Sequence, residues 1–245
     1  TYGIGLKELW EVKPEQSNQG EVLHTIGWPL DRQTYGGSFL YHLSNNLVSV
    51  GFVIGLDYKN PHLSPYDEFQ RFKTHPKIRK IFEGGRRISY GARALNEGGF
   101  QSLPKLSFPG GAIIGCDAGT LNTPKIKGTH TAMKSGMIAS ELVFEELNLK
   151  RENTEISEFC EIFKKSWAGD ELKKARNVRP SFKYGLKVGM FLAGIDQIIF
   201  RGKAPWTLKH PEEDHLSLRK KTESKKILYP KADGVLTFDR LTNVS

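Results

Sequence analysis

Residues 113–136 read IIGCDAGTLNTPKIKGTHTAMKSG. The run from Ala112 to Cys116, bounded by Gly110-Gly111, has the short apolar composition of a buried strand. Asp117 follows it, then Ala118-Gly119, a loop containing Pro124 and Gly128, and a run of small residues with helical spacing. The order predicts a strand, an acid at its end, a narrow loop and a helix start. A carboxylate at a strand end accepts hydrogen bonds from neighbouring hydroxyls, as a sugar-alcohol chain supplies. Thr129 is a fair N-cap, and Gly128 lets the backbone come close to a ligand.

The first turn of a helix leaves N–H groups unpaired and carries roughly +0.5 of a charge. Such a terminus stabilises a phosphate, or the edge of a reduced flavin ring, by the same physics. Gly136 and Ser140 on the same helix allow tight packing. The plainer reading of the whole stretch is a strand–loop–helix with an Asx turn at Asp117.

Downstream, the apolar positions Ala132, Met133, Gly136, Met137, Val143, Phe144 and Leu147 trace one helical face. Glu155 to Lys174 predicts a second helix, with Ile156, Phe159, Cys160, Phe163 and Trp167 as a core stripe. Val188 to Phe200, VGMFLAGIDQIIF, is apolar nearly all round except at Asp196-Gln197. It is too short to span a bilayer and suits a buried or interfacial helix. Lys183 and Lys187 precede it, and Arg201, Lys203 and Trp206 follow. That is a lipid-headgroup arrangement; a core helix of a soluble protein is the plainer alternative.

Upstream, Thr1 to Val12 reads as a strand. Ser38–Leu43 and Leu47–Leu56 are β-type runs joined by a turn at Ser44 to Asn46. Tyr66 to Lys73 has helical spacing, His75-Pro76 breaks it, and Lys77 to Phe82 forms a further short helix. Gly36-Gly37 is not at the hairpin turn. Paired glycine at a strand start predicts a bulge or a close backbone approach, with N–H groups open to a flat ring. Gly84 to Gly111 reads as strands and turns, and Lys209 to Lys226 as a solvated connection.

The chain has 245 residues and a formal net charge of +9. The charge permits nucleic acid, anionic lipid or acidic protein partners. No basic-aromatic cluster of a nucleic-acid module is present, so no nucleic acid partner is expected. Cys116 and Cys160 are the two cysteines; without a CxxC pattern there is no self-contained zinc or iron–sulfur site, and no metal ligands are assigned. The chain begins with Thr1 rather than Met, so an excerpt of a longer polypeptide is expected.

The stretches GWPLDRQTYGGSFLYH, GGFQSLPKLSFPGGAIIGC and PKIKGTHTAMKSG closely resemble the electron transfer flavoprotein–ubiquinone oxidoreductase family, and the resemblance runs the length of the chain. It implies a membrane-surface flavoenzyme with FAD and one 4Fe–4S cluster, taking electrons from the electron transfer flavoprotein and giving them to ubiquinone. Relatives sit at the matrix face of the mitochondrial inner membrane, or at the bacterial cytoplasmic membrane. The resemblance also implies an α/β (α+β) fold of the glutathione-reductase-like, FAD-dependent type, with an antiparallel sheet over the quinone pocket.

By the same resemblance, the GxGxxG segment and the four cluster-binding cysteines lie outside this sequence, which is then a central piece. Residues 1–85 would belong to the ubiquinone-binding domain, 86–150 to the end of the FAD-binding domain, and 151–245 to a helical, membrane-contacting part. Gly115, Asp117, Gly128 and Thr129 fall on the family's second FAD-binding stretch, although Cys116 stands where many flavoproteins have Gly-Asp directly. Gly36 and Gly37 fall on the ubiquinone site, and Phe191, Ile195 and Ile199 on a monotopic membrane contact. No side chain is assigned as a catalytic acid, base or nucleophile, because flavin and quinone carry that chemistry. Two other readings stay open: a soluble flavin-dependent dehydrogenase or monooxygenase of the same architecture, and a non-catalytic lipid- or protein-binding remnant.

Overall fold

The computed structural model describes residues 1–210 and 213–241. They form two compact units: Gly3–Ala94 with Asp214–Ser245, and Thr1–Tyr2 with Leu95–Glu213.

The first unit is built on a mixed-order sheet. Its strands are β1 (Tyr2–Glu11), β2 (Val22–Ile26), β3 (Gly36–His42), β4 (Leu47–Gly55) and β5 (Arg86–Asn96), in spatial order β2-β3-β4-β1-β5. β2 with β3, β3 with β4, and β4 with β1 are antiparallel. The β3–β4 hairpin turns where expected: Asn45 and Asn46 both have φ near +57°, the left-handed pair that a tight hairpin turn demands and that asparagine tolerates.

Alternation sets which face is inside. Leu6, Trp10, Leu40, Val48, Val50, Phe52 and Ile54 point to one side and are buried beneath α1 (Pro65–Lys73) and α2 (Pro76–Phe82). Ser64 caps α1 by accepting the Asp67 N–H, and Pro65 opens it. His75-Pro76 ends that helix and starts the next, as the sequence predicts. Phe52 stacks against Phe69, and Trp10 lies 5.2 Å from Phe82; each such ring contributes about 1.5–3 kcal/mol when taken from water.

Glu8 is a charge inside this core. Its carboxylate accepts from Lys73 Nζ at 2.8 Å, Trp10 Nε1 at 2.7 Å and Gln70 Nε2 at 3.2 Å, so it is buried but compensated. Burial pulls the Lys73 ammonium down to about 8, with Glu8 acting against that pull. The chain returns at Asp214 and lays Leu236 and Phe238 on the same core. Tyr66 Oη donates to the Phe238 carbonyl, and the Phe238 N–H donates to Gln70 Oε1.

The second unit is mostly helical. A two-residue pairing of β6 (Ser107–Phe108) with β7 (Gly111–Ala112) precedes α3 (Thr129–Asn148), α4 (Phe159–Lys165), α5 (Trp167–Ala175), α6 (Val178–Ser181) and α7 (Leu186–Gly194). A five-residue π-helix, Ile195–Ile199, continues directly from α7. The expected single helix over 155–174 is two helices. Ser166 adopts an extended conformation between them, donates to the Phe163 carbonyl, and caps α5 by accepting the Gly169 N–H. Phe159 and Phe163 enter the core with Leu106, Ile138, Ala139 and Leu172. Trp167 is exposed, because it sits past the break.

Candidate functional site

Two further expectations about the opening stretch change. The strand is Gly111–Ala112 alone, and Gly115–Ala118 is a 3-10 turn, so Asp117 lies on a turn and not at a strand end. Gly115 causes the change: its φ of +68° is outside the strand region. Its N–H donates to Ser135 Oγ at 2.9 Å and its carbonyl accepts from Thr120 Oγ1 at 3.0 Å, which holds the turn against α3. The N-cap of α3 is Gly128, and Thr129 is the first helical residue. No side chain caps this terminus.

The structure therefore brings the Gly115 turn beside the early turns of α3, and leaves Asp117 and Thr129 exposed. The donor set suits a flavin cofactor: a helix start without a side-chain cap, a residue lacking Cβ at the cap, and an exposed carboxylate nearby. The loop before α3 is tied down by Glu171, which sequence reasoning missed. Glu171 accepts from Asn122 Nδ2 at 2.7 Å, His130 Nε2 at 2.7 Å and Lys125 Nζ at 2.9 Å. Burial works against its charge, but the bonds from Lys125, His130 and Asn122 outweigh it and bring the carboxyl down to about 2. Nothing in the linear spacing links these residues, since 41 positions separate His130 from Glu171.

In the first unit, Gly36 and Gly37 sit in continuous register, opposite Ile54 and Val53. There is no bulge; the close approach is what holds. A Cβ at Gly36 would stand 2.5 Å from Leu30 Cδ1 and from the Val53 carbonyl oxygen, and one at Gly37 would strike the Thr25 carbonyl. The register places three rows on the sheet face opposite the helices: Gly5–Val53–Gly37–Ile26, Lys7–Gly51–Phe39–His24, and Leu9–Ser49–Tyr41–Val22. Phe39 lies flat over Gly51 and stacks on Tyr41, ring centroids 4.9 Å apart. The result is a low floor at Gly5, Val53 and Gly37 beside an aromatic wall. His24 and Tyr41 are the adjacent proton-bearing groups, Nε2 to Oη 3.5 Å.

His42, Arg86 and Arg87, in the same unit, have local partners. His42 is buried and accepts the Asn18 N–H. Arg86 pairs with Glu11, and Arg87 with Glu8. Among the described residues no group of three or more His, Cys, Asp and Glu could hold a metal. Cys116 and Cys160 are free thiols, so the side chains present do not fit a 4Fe–4S cluster, which needs four thiolates.

Of the expected membrane residues, Phe191 (68%) and Ile199 (69%) are strongly exposed, and Ile195 is half-buried. Ile198, at 79%, was missed, although positions 191, 195, 198 and 199 lie on one stripe of a helix. The Phe200 N–H donates to the Ile195 carbonyl and closes the π-helix, on which Ile198 and Ile199 are both exposed. Asp196 lies away from that stripe and is buried, where Oδ1 accepts from Asn177 Nδ2 at 3.0 Å and Oδ2 from Gln197 Nε2 at 2.7 Å. Lys183, Lys187, Arg201 and Lys203 precede and follow this segment along the chain, all exposed. Among the described residues no helix is long and apolar enough to cross a membrane.

Residues 2–95 match the family model described as ETF-QO, ubiquinone-binding. All of the chain aligns with mitochondrial electron transfer flavoprotein–ubiquinone oxidoreductases: 52% identical over 244 residues to that of Oryza sativa subsp. japonica, 55% over 254 to that of Rattus norvegicus, and 54% over 254 to that of Homo sapiens. The chain spans 41–42% of the length of these relatives. Two solved structures share the fold at low identity. A geranylgeranyl bacteriochlorophyll reductase-like protein of Thermoplasma acidophilum has a TM-score of 0.55 at 14% identity, covering 88% of this chain and 50% of that one. A flavin-dependent brominase has a TM-score of 0.50 at 18% identity, covering 82% and 48%. Over its whole length the chain thus matches electron transfer flavoprotein–ubiquinone oxidoreductases at 52–55% identity, as a stretch of less than half such a protein.

Proposed function

We propose that this chain is the quinone-facing part of an enzyme that passes electrons from reduced electron transfer flavoprotein, through FAD and a 4Fe–4S cluster, to ubiquinone at a membrane surface. The observation that carries the reading is the open floor at Gly5, Val53 and Gly37 beside Phe39 and Tyr41, within the residues that match the ubiquinone-binding family model. A planar benzoquinone needs such a low apolar floor, because any taller side chain would lift the ring away.

FAD, when bound, supplies the redox chemistry. This chain's own residues bind and orient. The amides at Gly128 and Thr129 offer donors to an electron-rich ring edge, and Asp117 offers acceptors to hydroxyls. Reduction of a quinone takes up two protons, and His24 Nε2 and Tyr41 Oη stand on the face where they would be delivered. The iron–sulfur cluster would take its ligands from polypeptide outside residues 1–245. Phe191, Ile198 and Ile199 would enter the lipid while the basic side chains meet headgroups. We assign the glutathione-reductase-like type of flavoprotein fold and the matrix side of the mitochondrial inner membrane on the same basis.

The test is steady-state reduction of a short-tailed ubiquinone by the complete polypeptide carrying Phe39→Ala. The expected result is a KM raised about tenfold, the loss of roughly one aromatic contact, with flavin content unchanged. An unchanged KM would contradict the quinone seat.

A further inference from the structure

α3 has two apolar faces. One carries Ile138 and Ala139 into the core of its own unit, with Thr131 and Ser135 buried beside them. The other carries Met133, Met137, Phe144 and Leu147, at intervals of four, seven and three, and is open: Met133 is 64% and Phe144 65% exposed. Ile114, exposed itself, lies beside Gly136 and extends the patch. A helix apolar on both sides is the mark of one packed between two layers. Over twenty residues α3 runs about 30 Å, long enough to cover an element of a full domain.

We infer that this second face of α3 docks against a further layer of the same polypeptide, lying outside residues 1–245. Length supports that occupant. The relatives are more than twice as long as this chain, and the solved fold that matches it is half of a longer chain. Charge argues against a lipid occupant. The exposed flank carries Glu141 and Glu145, and Glu146 is ion-paired to Arg151. An anionic bilayer would repel that flank, whereas the α7 surface has a basic one. The inference does not depend on the quinone reading.

The chain holds three methionines, and they report on the two surfaces separately: Met133 and Met137 on α3, Met190 on α7. Thioether oxidation by peroxide follows exposure. The experiment oxidises the complete polypeptide at low concentration, without lipid, with N-acetylmethionine amide as the internal rate standard and peptide mass spectrometry as the readout. Met133 and Met137 are expected to react at least about tenfold slower than the standard, while Met190 reacts near its rate. Adding vesicles containing anionic lipid should slow Met190 alone. Three results would each overturn the inference: Met133 and Met137 reacting near the standard's rate; protection that appears only with vesicles, marking a lipid face; and protection that appears only as protein concentration rises, marking a second copy.

Discussion

The open faces of α3 and of α7 with its π-turn carry similar apolar side chains at similar exposure, yet their surroundings are opposite. Glu141 and Glu145, with Lys134, flank the first; Lys183, Lys187, Arg201 and Lys203, all exposed, precede and follow the second along the chain. Apolar area states only that something must cover a surface. The charge at its edge is what we use to propose the occupant: a protein layer for α3, an anionic lipid surface for α7. Both helices begin at a glycine without a side-chain cap, and the loop into α3 is pinned by the Glu171 cluster.

The largest effect that would break this contrast is on membrane binding. Phe191→Glu combined with Ile198→Glu should lower vesicle affinity of the complete polypeptide on the order of a hundredfold, since a buried charge costs about 2.5–3.5 kcal/mol at mid-bilayer and less at the interface. Flotation assays read it, and Phe144→Glu should leave flotation unchanged. Conversely, Phe144→Glu should destabilise the complete polypeptide by about 2 kcal/mol or more, the loss of one buried aromatic, in denaturant melts. Equal stability would erase the difference between the faces.

A smaller effect concerns the pinned loop. The Glu171 carboxyl lies below its ordinary value in the folded chain, so its contribution is complete above about pH 4.5 and is lost as pH falls toward 2. It is mostly buried and worth on the order of 2 kcal/mol. Glu171→Gln should flatten the stability profile across that window and leave α7-dependent vesicle binding intact at neutral pH. Smallest is the effect of the preceding lysines: Lys183→Ala and Lys187→Ala should each weaken vesicle binding about fivefold, with a reduced dependence on salt.

Local chemistry was what the sequence made legible. Asn45-Asn46, His75-Pro76 and the β-type runs of β3 and β4 each have a backbone consequence that needs no tertiary context, and each appears as expected. Where two local outcomes were available, the pattern chose poorly. Ser166 sits in a run that reads as helix, and only its capping bond to Gly169 divides it. Gly115 ends the strand early by adopting a positive φ, which composition alone does not reveal. The periodicity of α3 selected Met133, Met137, Phe144 and Leu147 correctly as a face, but two faces of that helix are apolar, and the one that fills its own unit's core is Ile138 and Ala139. Helical spacing from Phe191 places Ile198 on the exposed stripe and Asp196 away from it; the bond to Asp196 from Asn177, nineteen positions away, is what the segment alone does not show.

The claim that quinone rests on the exposed face of the β1–β4–β3–β2 sheet is tested most directly by photo-crosslinking an azido-ubiquinone to the complete polypeptide and mapping the adducts. Labelling concentrated between Gly37 and Tyr41 and at Ile26, competed by unlabelled ubiquinone, is the predicted result. Competable labelling confined to residues outside these four strands would contradict it.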